Sequence, residues 1–320
     1  MKTPVAILIF KRTETTKQAI EVLRQVKPPK LFVFADGPRI DRPDEIEKCA
    51  ATRSVIEQID WDCEVLKYYS DVNLGCGLGP ATGISWVFNQ VEEAIILEDD
   101  CLPHPTFFRF CEELLEKYRD DERIMMISGF NILGEWKSNI QDYHFSYFGA
   151  IWGWASWRRA WRHFDFDAKL WSNPEIRERI RDLLGDDLVY HYRASIFDQI
   201  YSLRNHKSAG LDIWDYQWDL TLLSQSGLTI VPSVNLISNI GFSEEATHTK
   251  ENQPGIADLP LSPMSFPLKE PCGVVVDKEY DRRRTRKRFK TPSKKFLIKF
   301  TFRQLRQLIA RNLTYLRQYT

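Results

Sequence analysis

The sequence predicts an α/β fold in which a mainly parallel sheet carries helices on both faces. Three observations lead there. Short apolar runs recur at residues 5–10, 31–35, 63–69 and 94–97, each the length of a buried strand. Stretches with apolar residues at helical spacing separate them, so strand and helix alternate as in parallel sheets joined by crossovers. Several runs end in charged or Asp-Gly segments, at the strand ends where such sheets bind ligands.

Residues 5–10 form the first strand. They superficially resemble a signal peptide, but the apolar run has only six residues, shows no small-residue cleavage site and stops at Lys11-Arg12. Thr16, Ala19, Ile20 and Leu23 mark one helix face, ended by Pro28-Pro29. The strand 31–35 closes on Asp36-Gly37-Pro38. Ile46, Cys49, Arg53 and Ile56 mark the next helix, with Arg53 the poor fit. After the strand 63–69, the segment Asn73-Leu74-Gly75-Cys76-Gly77-Leu78-Gly79-Pro80 reads as a glycine-rich loop leading into a helix that runs to about Val91. The strand 94–97 runs directly into Glu98-Asp99-Asp100. Thr106 is the expected cap of a helix whose face is Phe107, Phe110, Cys111, Leu114, Leu115 and Tyr118, and 123–127 is a further strand.

Residues 131–215 are less regular and rich in aromatics, including the run Trp152-Gly153-Trp154-Ala155-Ser156-Trp157. Trp214-Asp215-Tyr216-Gln217-Trp218-Asp219 opens an apolar helix to about Ser226, followed by a strand at 228–231 and a loop at 238–249. Pro254, Pro260, Pro263, Pro267 and Pro271 then break the pattern and mark a wrapping segment or linker.

The 320 residues suffice for one large domain or two, and 43% hydrophobic content supplies a core. Ten Trp among 13% aromatics suit shaped pockets or interfaces. The 44 basic and 44 acidic residues are unevenly placed: residues 278–320 hold 15 Lys/Arg and 2 Asp/Glu, which leaves 29 basic and 42 acidic residues for the rest. Six Cys without CxxC spacing suggest neither a zinc site nor a disulfide framework, so the cytosol is the expected compartment. No segment approaches the roughly 20 apolar residues of a spanning helix.

The acidic triplet carries the strongest chemical signal. Three adjacent carboxylates at a strand end repel one another unless water or a cation relieves them. Their hard oxygens suit Mg²⁺ or Mn²⁺, ions that partner phosphates. A solvated acidic turn or a helix N-cap would use the same residues. However, Lys11, Arg12 and Asp36 fall on the same sheet edge. Asp100 is then the candidate metal ligand, with Glu98 and Asp99 holding ribose hydroxyls or ion-bound waters. Asp36 is placed to accept from a nucleobase N–H or a ribose hydroxyl, or simply to shape an Asp-Gly-Pro turn. Asn73 and Gly75 lie in a segment that lacks both GxGxxG and a P-loop lysine. Its glycines permit close approach of backbone to a ligand, or only flexibility. Gly153-Trp154 suits a sugar platform, with core burial as the alternative. Asp215, between Trp214 and Tyr216, suits a general base; a helix cap is the plainer reading, and Asp219 is its local rival. His248 has a neutral imidazole to complete a metal shell, or it is an ordinary exposed histidine.

These residues together resemble the GT-A class of nucleotide-sugar glycosyltransferases. The nearest resemblance is to inverting N-acetylglucosaminyltransferase I-like enzymes and a bacterial group of nucleotide-diphospho-sugar transferases. It covers residues 4–250, with a nucleotide-binding half at 1–130 and an acceptor and sugar half at 131–250. Residues 251–277 form the wrapping segment and 278–320 a basic helical tail. The resemblance implies a GT-A, Rossmann-like fold and Mn²⁺ or Mg²⁺ on Asp100. It implies a uridine contact at Asp36, a nucleotide contact at Arg12, a Gly153-Trp154 loop near the donor sugar and a catalytic base at Asp215. Asn239-Ile240-Gly241-Phe242 through His248-Thr249 resembles the bacterial group's late signature. The Tyr216-Gln217 pair before Trp218 departs from the N-acetylglucosaminyltransferase I pattern, which weakens the base assignment more than the metal assignment. The implied reaction is direct displacement with inversion. A nucleotide-sugar donor, UDP-linked by resemblance, meets a glycan or lipid-linked acceptor while the Lys11 and Arg12 region holds the diphosphate.

Two rivals stand beside it. A sugar nucleotidyltransferase also uses strand-end acids and a metal, but usually with a basic glycine-rich loop near the N-terminus, where Ile9-Phe10-Lys11-Arg12 has no glycine. A noncatalytic sugar-binding or membrane-scaffold protein on the same fold is the other. In the tail, Phe296, Leu297, Phe300, Leu308, Ile309, Leu313 and Leu316 intersperse with Lys and Arg. That composition suits an anionic membrane surface through 282–317, at the inner face of the membrane. Docking on the acidic body is the alternative. No nucleic-acid partner is expected, since no recognisable module accompanies the charge.

Overall fold

A computed structural model describes residues 1–206, 212–241, 256 and 259–288. Met1–Asp281 forms one compact unit and Arg282–Thr320 a second. Of the expected site and tail, His248 and residues 289–320 lie outside the described residues.

Strand β1 (Val5–Ile9) is fully buried and runs into α1 (Thr13–Val26). Thr16 donates through both its amide and its hydroxyl to the Arg12 carbonyl, which seats Arg12 at the very start of the helix. Lys27 turns left-handed and Pro28 stops the helix. Strand β2 (Lys30–Ala35) leads to α2 (Asp44–Ile56). There Arg53, the poor fit on the helix face, donates to the carbonyls of Asp36 and Ser70 at 3.1 and 2.7 Å and ties two strand ends together. Strand β3 (Glu64–Tyr69) precedes α3 (Gly75–Phe88). The glycine-rich segment is therefore mostly helix rather than loop, for a reason that becomes clear at the site.

Strand β4 (Glu93–Glu98) delivers the acidic triplet, and β5 (Cys101–Pro103) follows. Helix α4 (Thr106–Lys117) buries the expected apolar face. Thr106 is not its cap: it occupies the first helical position, its hydroxyl meeting His104 Nδ1 and accepting from the Met264 amide. Strand β6 (Ile124–Ser128) comes next. The aromatic middle supplies two short strands that its residue pattern did not announce, β7 (Tyr143–Ser146) and β8 (Trp154–Trp157). Then come α5 (Arg158–Trp161), α6 (Pro174–Leu184), α7 (Asp187–His206) and α8 (Asp215–Ser224). The chain continues through β9 (Leu228–Pro232), β10 (Ile237–Asn239) and α9 (Lys278–Arg288).

The main sheet has the order β3-β2-β1-β4-β8-β6-β9-β7. The pairs β3–β2, β2–β1, β1–β4 and β6–β9 are parallel, whereas β8 is antiparallel to both its neighbours and β7 to β9. This is the expected α/β fold: a mostly parallel central sheet flanked by helices. Inserting β8 in the reverse sense has one consequence for function. It brings the start of β8, and Trp152 just before it, to the same edge as the C-terminal ends of β1, β2 and β4. Residues 259–281 hold to the body through Ser262 on Asn235 and Lys269 on Asp142, and Asp277 and Tyr280 add further bonds. No helix among the described residues is long and apolar enough to cross a membrane.

Candidate functional site

A pocket of about 580 Å³ opens at the C-terminal edge of β1, β2 and β4. Its lining draws on Arg12 after β1, Asp36 after β2 and the triplet after β4, with Trp152 before β8 and Asp212 to Asp215 before and at the start of α8. Asn239 and Gly241 reach it from the end of β10. Parallel strands all deliver their ends to one side of the sheet, so residues distant in sequence meet there.

Arg12 governs the electrostatics. Its guanidinium lies 3.1 Å from Asp99 Oδ1 and 2.5 Å from Asp100 Oδ2. Asp99 also accepts from the Phe10 amide at 3.2 Å. Burial pushes Asp99 up to about 7, against the pull of Arg12 and with a further push from Asp100. Glu98 is raised well above the carboxylate range by burial, then by Asp100, Asp99 and Asp215, so Asp215 stands close enough to the triplet to be felt. Glu98 Oε1 is enclosed and has no hydrogen-bond partner. Gly241 closes over Asp100 so tightly that a Cβ there would lie 2.2 Å from Asp100 Oδ2, and Asn239 donates to the same carboxylate at 3.3 Å.

Among the described residues no three His, Cys, Asp or Glu side chains form a ready metal cage. Instead Asp99 and Asp100 hold the Arg12 cation. The donor set nevertheless fits a hard divalent ion: adjacent carboxylate oxygens, one of them enclosed without a partner, match the ligand preference of Mg²⁺ and Mn²⁺.

Asp36 is 7% exposed and already saturated. It accepts from the amides of Gly37, Leu74 and Gly75 at 2.9, 2.8 and 3.0 Å and from Asn73 Nδ2 at 2.9 Å. A carboxylate has about four acceptor positions, so the direct nucleobase contact expected of Asp36 has no lone pair left for it. Burial raises its pKa, while those amides pull it back. Asn73 and Gly75 are held in the same network, at the pocket wall. Here lies the reason the glycine segment is helical. Leu74, Gly75, Cys76 and Gly77 carry the amides that a helix start leaves without partners, and Asp36 and Asp212 between them accept all four.

The remaining expected residues divide. Asp215, the first residue of α8, lines the pocket, while its rival Asp219 is committed to an ion pair with Arg193. Lys11 does not line the pocket; it is paired with Glu45 at 2.6 Å. Arg39, which shares Glu45, does line it. Trp154 has no exposed surface and sits among Trp161, Trp214 and Trp218, so its ring offers no face to a sugar. Gly153 is a close-approach position, since a Cβ there would lie 2.4 Å from Ile237. Trp152, two positions earlier, does line the pocket, as do Phe10, Phe34 and Trp214. Sequence reasoning missed Trp152, Arg39 and Asp212. No local pattern singled out Trp152: it stands two positions from Trp154, the spacing that puts strand residues on one face, and the left-handed Gly153 between them interrupts that alternation.

No family model matches this sequence, and no curated protein does. Solved structures give distant overlaps. The chain is similar to apo UDP-glucose pyrophosphorylase at 11% identity, with 74% of this chain and 93% of that one covered and a TM-score of 0.37. It is similar to 4-diphosphocytidyl-2C-methyl-D-erythritol synthase from Anaerococcus prevotii DSM 20548 at 11% identity, covering 54% and 78%, with a TM-score of 0.33. Mouse xyloside xylosyltransferase 1 overlaps at 10% identity, covering 64% and 83%, with a TM-score of 0.32. Overlaps this loose assign no reaction, which leaves that to the residues of the pocket.

Proposed function

We propose that this chain is a glycosyltransferase that moves a sugar from a nucleotide diphosphate onto a hydroxyl of a glycan or lipid-linked acceptor, with inversion. One observation carries the reading: a strand-end acid triplet, an arginine bound to it and the carboxylate of Asp215 share one pocket. Arg12 holds positive charge where the donor's diphosphate would gather negative charge on leaving. Asp215 takes the proton of the acceptor hydroxyl as its oxygen attacks the anomeric carbon, and the bond to the diphosphate breaks. Trp152 supplies an aromatic wall for the sugar in place of Trp154. A Mn²⁺ or Mg²⁺ ion held by Asp100 with Glu98 or Asp99, and by His248, would offset the charge of the leaving diphosphate. Asp36 orders the start of α3 and Asn73 rather than reading the base itself.

Calorimetry with UDP, GDP, dTDP and CMP, with and without Mn²⁺, on wild type and Asp100→Ala tests the reading. Mn²⁺-dependent binding of one nucleotide that Asp100→Ala abolishes is the expected result. Product analysis then separates the rivals. Nucleoside diphosphate release supports transfer, pyrophosphate release identifies a nucleotidyltransferase, and binding without turnover on any acceptor identifies a sugar-binding protein. An NMR spectrum showing a retained anomeric configuration would remove inversion. For the basic tail we propose contact with an anionic membrane, which unchanged liposome flotation after deletion of 282–320 would refute.

A further inference from the structure

We infer that Asp212 is a positioning residue for Asp215, fastening the start of α8 to α3 so that the Asp215 carboxylate stays in the pocket; the inference rests on Asp215 being the base. Asp212 Oδ2 accepts from the Cys76 amide at 2.8 Å and Oδ1 from the Gly77 amide at 2.9 Å. Both amides belong to the first turn of α3, a helix with no side-chain cap of its own. The positive end of the helix dipole favours a carboxylate there.

The glycines fit this contact. A Cβ at Gly75 would fall 2.2 Å from Asp212 Oδ2. At Gly77 it would fall 2.5 Å from Asp212 Oδ1 and 3.0 Å from both the backbone N and O of Ile213. Two glycines separated by a single residue thus let both the carboxylate and the backbone of the α8 approach lie directly on α3. Only two residues separate Asp212 from Asp215, so this attachment fixes the last stretch of chain before the base.

Two other contacts hold α8 in place. Trp214 is buried with its ring centroid 5.9 Å from that of Trp154. Asp219, one turn into the helix, pairs with Arg193, whose guanidinium lies 5.1 Å from the Phe148 ring and 5.4 Å from the Tyr216 ring. These keep the helix folded onto the core. Asp212, half-buried and outside that core, sets where its first residue lies against the pocket wall. A misplacement of about 1 Å at a reacting group lowers rates by about 100-fold.

The test compares wild type, Asp212→Ala, Asp212→Asn, Gly77→Ala and the double variant. It measures kcat and donor KM separately, together with amide hydrogen exchange at 215–218. Asp212→Ala is expected to lower kcat about 10- to 100-fold with donor KM little changed. Gly77→Ala favours helix formation by propensity, yet is expected to lose kcat to a similar extent, because its methyl group evicts Asp212. The double variant should be no worse than either single one. Asp212→Asn should recover part of the rate, since its single oxygen still accepts from Gly77. Exchange at 215–218 should quicken in every variant that lacks the contact. A wild-type kcat in Asp212→Ala, or a loss confined to KM, would overturn the inference. Should the wild type turn over no nucleotide sugar at all, the glycosyltransferase reading falls. Exchange then decides the Asp212 contact by itself, and unchanged rates at 215–218 refute it.

Discussion

The guanidinium of Arg12 and the carboxylate of Asp100 meet at 2.5 Å, with the two side chains only 16% and 12% exposed. One residue precedes the first helix and the other ends the acidic triplet, so one guanidinium, shared with Asp99, offsets part of the charge gathered at this edge of the sheet. Burial opposes the charge of Arg12, but Asp99, Asp100 and Glu98 outweigh it and raise its pKa.

Arg12→Ala should therefore leave three crowded carboxylates without their cation. Removing one partner of a largely buried pair destabilises by about 3 kcal/mol. Thermal melts should show that loss in metal-free buffer and a partial recovery in millimolar Mn²⁺, since an added cation replaces the missing one. Equal melting temperatures for wild type and Arg12→Ala would contradict this account.

Asp36→Ala removes the acceptor for three amides and for Asn73. Orphaning donors at the start of α3 should lower stability by about 2–4 kcal/mol, read from urea unfolding. Asp36→Asn should recover little, because its amide group points a donor at donors. A full recovery in Asp36→Asn would mean that shape, not acceptor count, holds this corner.

The two tryptophans two residues apart should behave oppositely. Trp154 is wholly buried, so Trp154→Ala should cost about 3–5 kcal/mol of stability. Trp152→Ala should leave most of the stability in place and weaken sugar-nucleotide affinity by about tenfold, the loss of one aromatic contact. Parallel denaturation and calorimetry on both variants distinguish the roles.

Glu45 gives a pH signature. Hydrogen bonding to Arg39, helped by Lys11, outweighs burial and lowers its pKa from 4.5 to about 2. A depressed carboxylate pKa adds stability that is fully present above the unfolded value near 4.5 and fades as pH falls toward 2. With Arg39 partly screened by water, the gain is about 1–2 kcal/mol. Wild type should exceed Glu45→Gln by that margin at pH 6 and the gap should narrow through pH 4 and 3. A constant gap across that range would assign the effect to shape instead.

Much of this was readable in the chain itself. The runs at 5–10, 31–35, 63–69 and 94–97 became strands β1 to β4 within a residue at most ends, because burial of an apolar strand is a local property of composition. Strand direction then placed Arg12, Asp36 and the triplet on one edge with no further information. Pairing lay beyond the sequence. The helical state of residues 75–80 depends on acceptors 39 and 136 positions away, Asp36 and Asp212, so no local pattern distinguishes it from a loop. Likewise Trp152 and Trp154 are equal in composition, and only the insertion of β8 between β4 and β6 decides which one faces the pocket and which the core. The sequence determined which residues stand at strand ends, through local hydrophobic patterning. The tertiary structure alone decided which of them still have a free lone pair or ring face, because those are used up by partners brought from far along the chain.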